Sequence, residues 1–242
     1  MRNFLALTRR ELGVYFVSPM AYIILTALLF ISGRVFVGSM AGFASNQLPV
    51  DYRETLYWLV VVVVLTSPLV TMRLIAEEKN KGTLEIILTS PISDAAFVLA
   101  KFAAAMVLLV YLLALTVGYI VIISRYGPVD VGAVVCGYLG VLLVGAVLYS
   151  IGLLISSLCS SQITAGVLTF SVAVLLIMAN MMMAGLEENS ALRPILSYVD
   201  LSMNFADFLK GVVDRTRLVY LLSVCGFFLF LTTRVVESRR WR

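Results

Sequence analysis

Glu77, Glu78, Lys79, Lys81 and Glu85 put three carboxylates and two ammonium groups within nine residues, around the turn-forming pair Gly82-Thr83. The chemistry on offer is ion pairing and docking. Glu77 and Lys81 are four apart in the order that favours a helical pair. Acid–base and metal chemistry have little to work with. Histidine, the commonest general base and metal ligand, does not occur in the 242 residues. Cys136, Cys159 and Cys225 lie in or beside apolar runs without metal-ligand spacing, so neither a zinc site nor a disulfide framework is expected. A phosphate-binding G-x-x-x-x-G-K-[ST] loop does not occur, and Lys81-Gly82-Thr83 has the wrong order and no glycine-rich approach. The expectation is a non-enzymatic chain with no catalytic residue, no metal and no cofactor of its own.

The elements that must position these charges are readable on either side. The insert Arg73 to Lys101, RLIAEEKNKGTLEIILTSPISDAAFVLAK, is wedged between two long apolar runs. Pro68 removes a backbone donor near the end of the run before it, which predicts a hinge. Gly82 is placed to end the Glu77–Lys81 turn. Thr83 can then cap a second short helix in which Leu84, Ile87 and Leu88 share a face, with Ser90-Pro91 stopping it. Ser93 or Asp94 can cap the run that follows. The alternative is a solvated loop with ordinary caps.

Composition sets the frame. The chain is 61% hydrophobic and 13% charged, with mean hydropathy +1.02, against about 25% charged in soluble domains. A hydrocarbon core of about 30 Å takes roughly 20 apolar helical residues. Six runs suffice: 20–38, 56–74, 96–123, 132–157, 162–185 and 218–236. Only helices and closed barrels satisfy the backbone in lipid, and no strand alternation points to a barrel. The expected fold is one all-α integral membrane domain over residues 1–242, with six transmembrane helices. No cleavable signal peptide is evident, since the N-terminus is amphipathic and apolar residues become continuous only near Met20. The net charge of +4 does not point to nucleic acid, because the basic residues sit at span ends and termini.

Residues 1–18 read as an interfacial helix. Phe4, Leu5, Leu7, Leu12, Val14, Tyr15 and Phe16 share a broad arc, with Arg2, Asn3, Arg9 and Arg10 on the other, suited to the lipid bilayer surface. Glu11 intrudes on the apolar arc, which predicts a specific partner for it. Ser18-Pro19 breaks the helix. Lysine and arginine counting then orients the chain. Eleven cationic residues (Arg2, Arg9, Arg10, Arg73, Lys79, Lys81, Lys101, Arg234, Arg239, Arg240, Arg242) fall on the side of the termini, against six (Arg53, Arg125, Arg193, Lys210, Arg215, Arg217) on the other. Both termini are expected to be cytoplasmic, in a bacterial or archaeal plasma membrane.

Other candidates carry a bland reading beside the functional one. In the outer segment 186–217, Phe205, Phe208, Leu209 and Val212 follow helical spacing and read either as an outer gate or as interfacial packing. Gly132, Gly137, Gly140, Gly145 and Gly152 in the fourth run favour close helix packing over a substrate path. Met178 and Met181-Met182-Met183 could offer thioethers to copper(I), but consecutive helical residues diverge, which favours a lipid- or core-facing run. Arg34, within the first run, is either functional or snorkelling. Asn180 could bond between helices.

The run PLVTMRLIAEEKNKGTLEIILTSPISDAAFVLAK resembles the region between spans two and three of ABC type-2 transporter permeases, in particular their gliding-motility-associated and copper- or nitrous-oxide-processing branch. RRELGVYFVSPMAYII, FADFLKGVVD and FLTTRVVESRRWR agree in the same order. The resemblance implies a six-span exporter half that dimerises, with a second copy or a related permease, and works with two copies of a separate ATP-binding subunit carrying ATP and magnesium. It implies that residues 1–18 form the connecting helix (Arg9, Arg10, Glu11) and that 75–94 hold a cytoplasmic coupling helix. There Glu77, Glu78, Lys79, Lys81 and Glu85 would meet the ATPase and Gly82 and Thr83 would shape the turn. Residues 186–217 would be re-entrant or interfacial helices capping the outer mouth.

Two further function classes stand beside this one. An ion-coupled secondary transporter usually carries carboxylates in the membrane, whereas all fourteen acidic residues fall outside the six runs. A membrane-embedded enzyme would need acid–base groups that the runs do not supply.

Overall fold

A computed structural model describes residues 2–46, 52–83, 85, 92–125, 130–184 and 192–240. The described residues form ten helices: α1 Arg2–Val17, α2 Pro19–Asn46, α3 Tyr52–Thr71, α4 Ala76–Asn80, α5 Asp94–Ile123, α6 Val131–Leu158, α7 Gln162–Ala184, α8 Leu192–Val199, α9 Leu201–Leu209 and α10 Arg215–Arg240. Six of them are long and apolar enough to cross a membrane, matching the number of apolar runs. The segment proposed to hold Leu84, Ile87, Leu88 and the Ser90-Pro91 stop lies outside the described residues.

The helices outrun the apolar stretches. At 1.5 Å per residue, the 30 residues of α5 extend about 45 Å, half again the hydrocarbon thickness. Glu54, Glu77, Glu78, Asp94 and Glu237, placed by sequence outside the runs, therefore ride on the ends of the six candidate spans. Their caps explain where the helices begin. Ser93 Oγ accepts from the Ala96 amide at 3.3 Å and starts α5. Asp130 accepts from Gly132 and Ala133 at α6, and Asp200 from Ser202 and Met203 at α9. Each such cap is worth about 0.5–2 kcal/mol. Pro19 occupies the first position of α2, where its missing donor costs nothing.

Two helices make the centre. In the spanning windows of α3 and α6, 72% and 56% of residues are buried, against 22% in each of α2, α7 and α10. α6 packs on α3, α5, α7, α9 and α10, and α3 on α2, α6 and α7. Lipid tails are as apolar as leucine, so burial inside a bilayer is driven by close packing rather than by water release. The glycines of α6 supply it. Gly152 admits the side chain of Thr71 from α3, and Gly145 admits Leu109 from α5. A Cβ on Gly140 would stand 2.8 Å from Phe208 Cβ and 3.0 Å from Phe205 Cδ2 of α9. The packing reading of these glycines is the one the geometry supports.

α3 is helical through Pro68 and ends at Thr71. The proline leaves the carbonyl of Val64 without its usual amide donor, and the Ser67 hydroxyl donates to it instead, at 2.9 Å. Hydroxyls commonly repair prolines in this way inside membranes. The interruption falls one turn later, at 72–75, before α4.

Candidate functional site

Lys101 organises the site. It lies two turns into α5, is 1% exposed, and its Nζ meets Glu11 Oε2 of α1 at 3.2 Å and Glu78 Oε1 of α4 at 2.9 Å. The Phe97 ring centroid is 5.1 Å away on its own helix. Three elements far apart in sequence thus converge on one buried ammonium. A charge removed from water survives only when paired, and breaking a buried pair by removing one member costs about 3–5 kcal/mol. Glu78 Oε2 is also buried and has no hydrogen-bond partner among the described residues.

Around this triad, α1 and α4 are tied to the bundle by further polar contacts. Tyr15 donates its hydroxyl to the carbonyl of Val70 at 3.3 Å, and burial raises the phenol above its ordinary pKa, keeping it a neutral donor. Arg73 donates through Nη1 to Ser18 Oγ at 3.0 Å and through Nε to Glu77 Oε2 at 3.0 Å. Lys81 Nζ reaches Glu77 Oε1 at 2.6 Å, realising the pair read from the spacing. Gly82 then takes φ +68°, the left-handed conformation that glycine adopts without steric cost. Thr83 Oγ1 donates back to the Glu78 carbonyl at 3.2 Å, so its hydroxyl closes the turn behind it.

The far side of α4 is fastened to the C-terminal end of α6. Ser156 Oγ accepts from the amides of Ile75 and Ala76 at 3.1 and 3.0 Å. Those are orphan donors at the start of α4, normally satisfied by a capping side chain of the same segment; here a neighbouring helix satisfies them. Lys79 Nζ donates to the Cys159 carbonyl at 3.1 Å and the Leu158 carbonyl at 3.5 Å. The cation thereby sits at the negative end of the α6 dipole.

Between α1, α4 and α5 lies a cavity of about 290 Å³, lined among others by Arg10, Glu11, Tyr15, Arg73, Glu77, Glu78, Lys81, Thr83 and Lys101. It brings Arg10 and Glu11 of the N-terminal set together with Glu77, Glu78, Lys81 and Thr83 of the insert. Arg9 and Glu85 are exposed away from it, and Lys79 and Gly82 do not line it. The apolar arc of α1 divides: Leu7 is buried and Phe4 and Tyr15 partly so, while Leu5, Val14 and Phe16 are exposed. Glu11 is the buried face's polar member, and its partner is Lys101.

The remaining sequence candidates lie elsewhere. Phe205 and Phe208 are buried against Gly140, Leu209 is partly buried and Val212 exposed. From Gly140 to Ser156 is about 24 Å of helix, so α9 sits toward the opposite end of the bundle. Arg34 is exposed. Met178, Met181 and Met182 are exposed while Met183 is buried, so the methionines do not converge. The side chain of Asn180 lies outside the described residues.

Sequence reasoning missed Lys101 and Ser156 as site residues. Lys101 was counted only as an orienting charge, although a lysine inside an apolar run predicts a buried partner. Ser156 carried no signal, because a serine in a glycine- and leucine-rich helix is ordinary.

The arrangement holds no catalytic constellation among the described residues; it is a junction of polar contacts that joins the short α4 to α1, α5 and α6. Residues 37–232 match the family model of the ABC-2 family transporter proteins. No curated protein matches the chain. Proteins of this family are the non-catalytic membrane components of ATP-driven transporters and normally pair with an ATP-binding subunit. With six helices able to span the bilayer and most of its length matched, the chain belongs to the ABC-2 family of transporters, as a multi-pass membrane subunit.

Proposed function

We propose that this chain is the permease half of an exporter, and that α4 with the Gly82 turn is the surface on which the ATP-binding subunit acts. Two permeases, identical or related, pair with two ATP-binding subunits, which hold the ATP and magnesium. On this reading the chain is of the gliding-motility-associated or copper- and nitrous-oxide-processing branch, which the resemblance around Arg73–Lys101 supports. It sits in a plasma membrane with both termini cytoplasmic, which the lysine and arginine distribution supports.

One observation carries the coupling reading. α4, only five residues long, is bound to α1 and α5 through the buried Lys101 and to α6 through the buried Ser156 and the half-buried Lys79. An isolated helix of that length is unstable in water, so α4 is held by these contacts and moves with their owners. A push on α4 displaces α1, α5 and the end of α6 together. Glu77 and Glu78 are occupied within the chain and largely covered, whereas Lys81, though paired with Glu77, has a side chain 64% exposed, and Glu85 is exposed. Lys81, Glu85 and the Gly82 turn between them are thus the docking positions, and Glu78 belongs to the linkage behind them.

The test is charge reversal at the exposed pair, Lys81→Glu with Glu85→Lys, in a complex reconstituted with the ATP-binding subunit. Loss of transport-linked ATP hydrolysis in a folded, inserted protein supports the reading. Undiminished coupling would place the docking surface elsewhere.

A further inference from the structure

At the end of the bundle opposite the charged cavity, a second cavity of about 280 Å³ opens between α8, α9 and the start of α10. Its polar groups are held in fixed positions. Asn204 is fully buried, and its Nδ2 donates to the carbonyls of Tyr198 at 2.9 Å and Asp200 at 2.7 Å. That leaves Oδ1 as the acceptor for Arg217 Nη1, at 2.7 Å. Asp207 flanks the guanidinium at 3.7 Å from Nε. The other N–H groups on the far edge of Arg217 have no partner among the described residues, and its side chain is 26% exposed. Asp214 caps α10 through Oδ1, which accepts from the Thr216 amide at 2.9 Å, and its second oxygen has no partner among the described residues. Tyr198 and Tyr220 complete the wall, with ring centroids 6.4 Å apart and planes inclined at 52°.

One cavity thus carries a cationic fork, Arg217, together with a carboxylate, Asp214, and two tyrosine rings. A planar guanidinium held by a buried amide suits the paired oxygens of a phosphate. A carboxylate beside two tyrosine faces suits an ammonium, by ion pairing and by attraction to the ring faces. The cavity also sits where α10 turns apolar: Val219 and Leu222, on the turns just beyond it, are exposed. Exposed apolar side chains on a helix long enough to span suit acyl chains, and a polar cavity at the start of that helix suits a headgroup. From this geometry we infer that the cavity binds the headgroup of a zwitterionic phospholipid of that leaflet, with phosphate on Arg217 and the amine between Asp214, Tyr198 and Tyr220.

The experiment is native mass spectrometry of the full chain released from nanodiscs containing equal phosphatidylethanolamine and phosphatidylglycerol, lipids that share the phosphate but not the amine. Wild type is expected to retain phosphatidylethanolamine preferentially. Tyr198→Ala changes a side chain that is 59% exposed, and Asp214→Asn keeps a capping oxygen, so neither should unfold the protein. Each is expected to lower the preference by about two- to five-fold, the size of an exposed cation–π contact. Arg217→Gln is expected to reduce retention of both lipids. Retention in bulk proportion by wild type would reduce the tyrosines to an ordinary interfacial belt and overturn the assignment. So would a preference unchanged in both Tyr198→Ala and Asp214→Asn. Displacement of the lipid by free phosphate, equal for both lipids, would make the site one for phosphate alone and would also contradict it.

Discussion

The two ends of this bundle are held together by different balances of charge and shape. At the α4 end, a buried lysine, two carboxylates and a borrowed serine cap fasten the chain through directional polar contacts. At the α9 end, Phe205 and Phe208 press into the surface that Gly140 leaves open. Polar contacts in a low-dielectric setting are strong when complete and costly when broken. They make the α4 end an all-or-none linkage. Aromatic packing on glycine is graded, so Phe205 and Phe208 can repack by small steps, while the Asn204–Arg217 contact beside them stays directional.

The sharpest way to break the contrast is Lys101→Met. It leaves Glu11 and Glu78 buried without their cation, and is expected to cost about 3–5 kcal/mol, read as a large fall in thermal midpoint in detergent. Adding Glu11→Gln and Glu78→Gln should restore much of that loss, because a neutral set no longer carries an unpaired charge. If the triple variant were no more stable than Lys101→Met, charge pairing would not be what holds this end.

At the other end, Gly140→Ala forces a methyl group against Phe208 and Phe205, with an expected cost of about 1–3 kcal/mol. Combining it with Phe208→Ala should recover part of the loss. A double variant showing the plain sum of the two single costs would contradict the close packing there.

A smaller effect belongs to Ser156→Ala, which orphans the amides of Ile75 and Ala76. About 1–2 kcal/mol is expected, as for loss of a helix cap. Hydrogen exchange should quicken at the start of α4 and leave α9 unchanged. Exchange rising equally at both ends would mean that the serine supports the whole bundle rather than this junction.

The smallest stability change is that of Lys81→Glu with Glu85→Lys. Lys81→Glu removes the exposed end of the Glu77–Lys81 pair, a contact of the kind that contributes about 0.2–1 kcal/mol, so the thermal midpoint should move little even as coupling is lost.

How much of this was legible in the sequence follows from the range of each interaction. The six spanning helices were readable because twenty apolar residues in a row have few other uses. The Ser18-Pro19 break, the Ser93 cap and the Glu77–Lys81 pair were readable because each acts within four residues. Glu11 was recognisable as misplaced on an apolar arc, yet its partner stands ninety residues away, a distance no periodicity spans. Ser156 caps a helix about eighty residues before it in the chain, and its local sequence has no reason to show that. The proline at position 68 was read as a hinge, but the effect of Ser67 on the freed carbonyl depends on a rotamer, which residue types alone do not specify. Phe205 and Phe208 carried helical spacing, and only the position of Gly140 decided that they point into the bundle.

The most direct test of the α4 linkage separates folding from coupling. The variant Lys101→Met with Glu11→Gln and Glu78→Gln would be reconstituted with the ATP-binding subunit, and ATP hydrolysis and transport measured side by side. The linkage account predicts a stable, assembled complex that hydrolyses ATP while transport falls by an order of magnitude or more. Transport at the wild-type ratio to hydrolysis would contradict it, and would show that motion reaches the spanning helices without passing through Lys101.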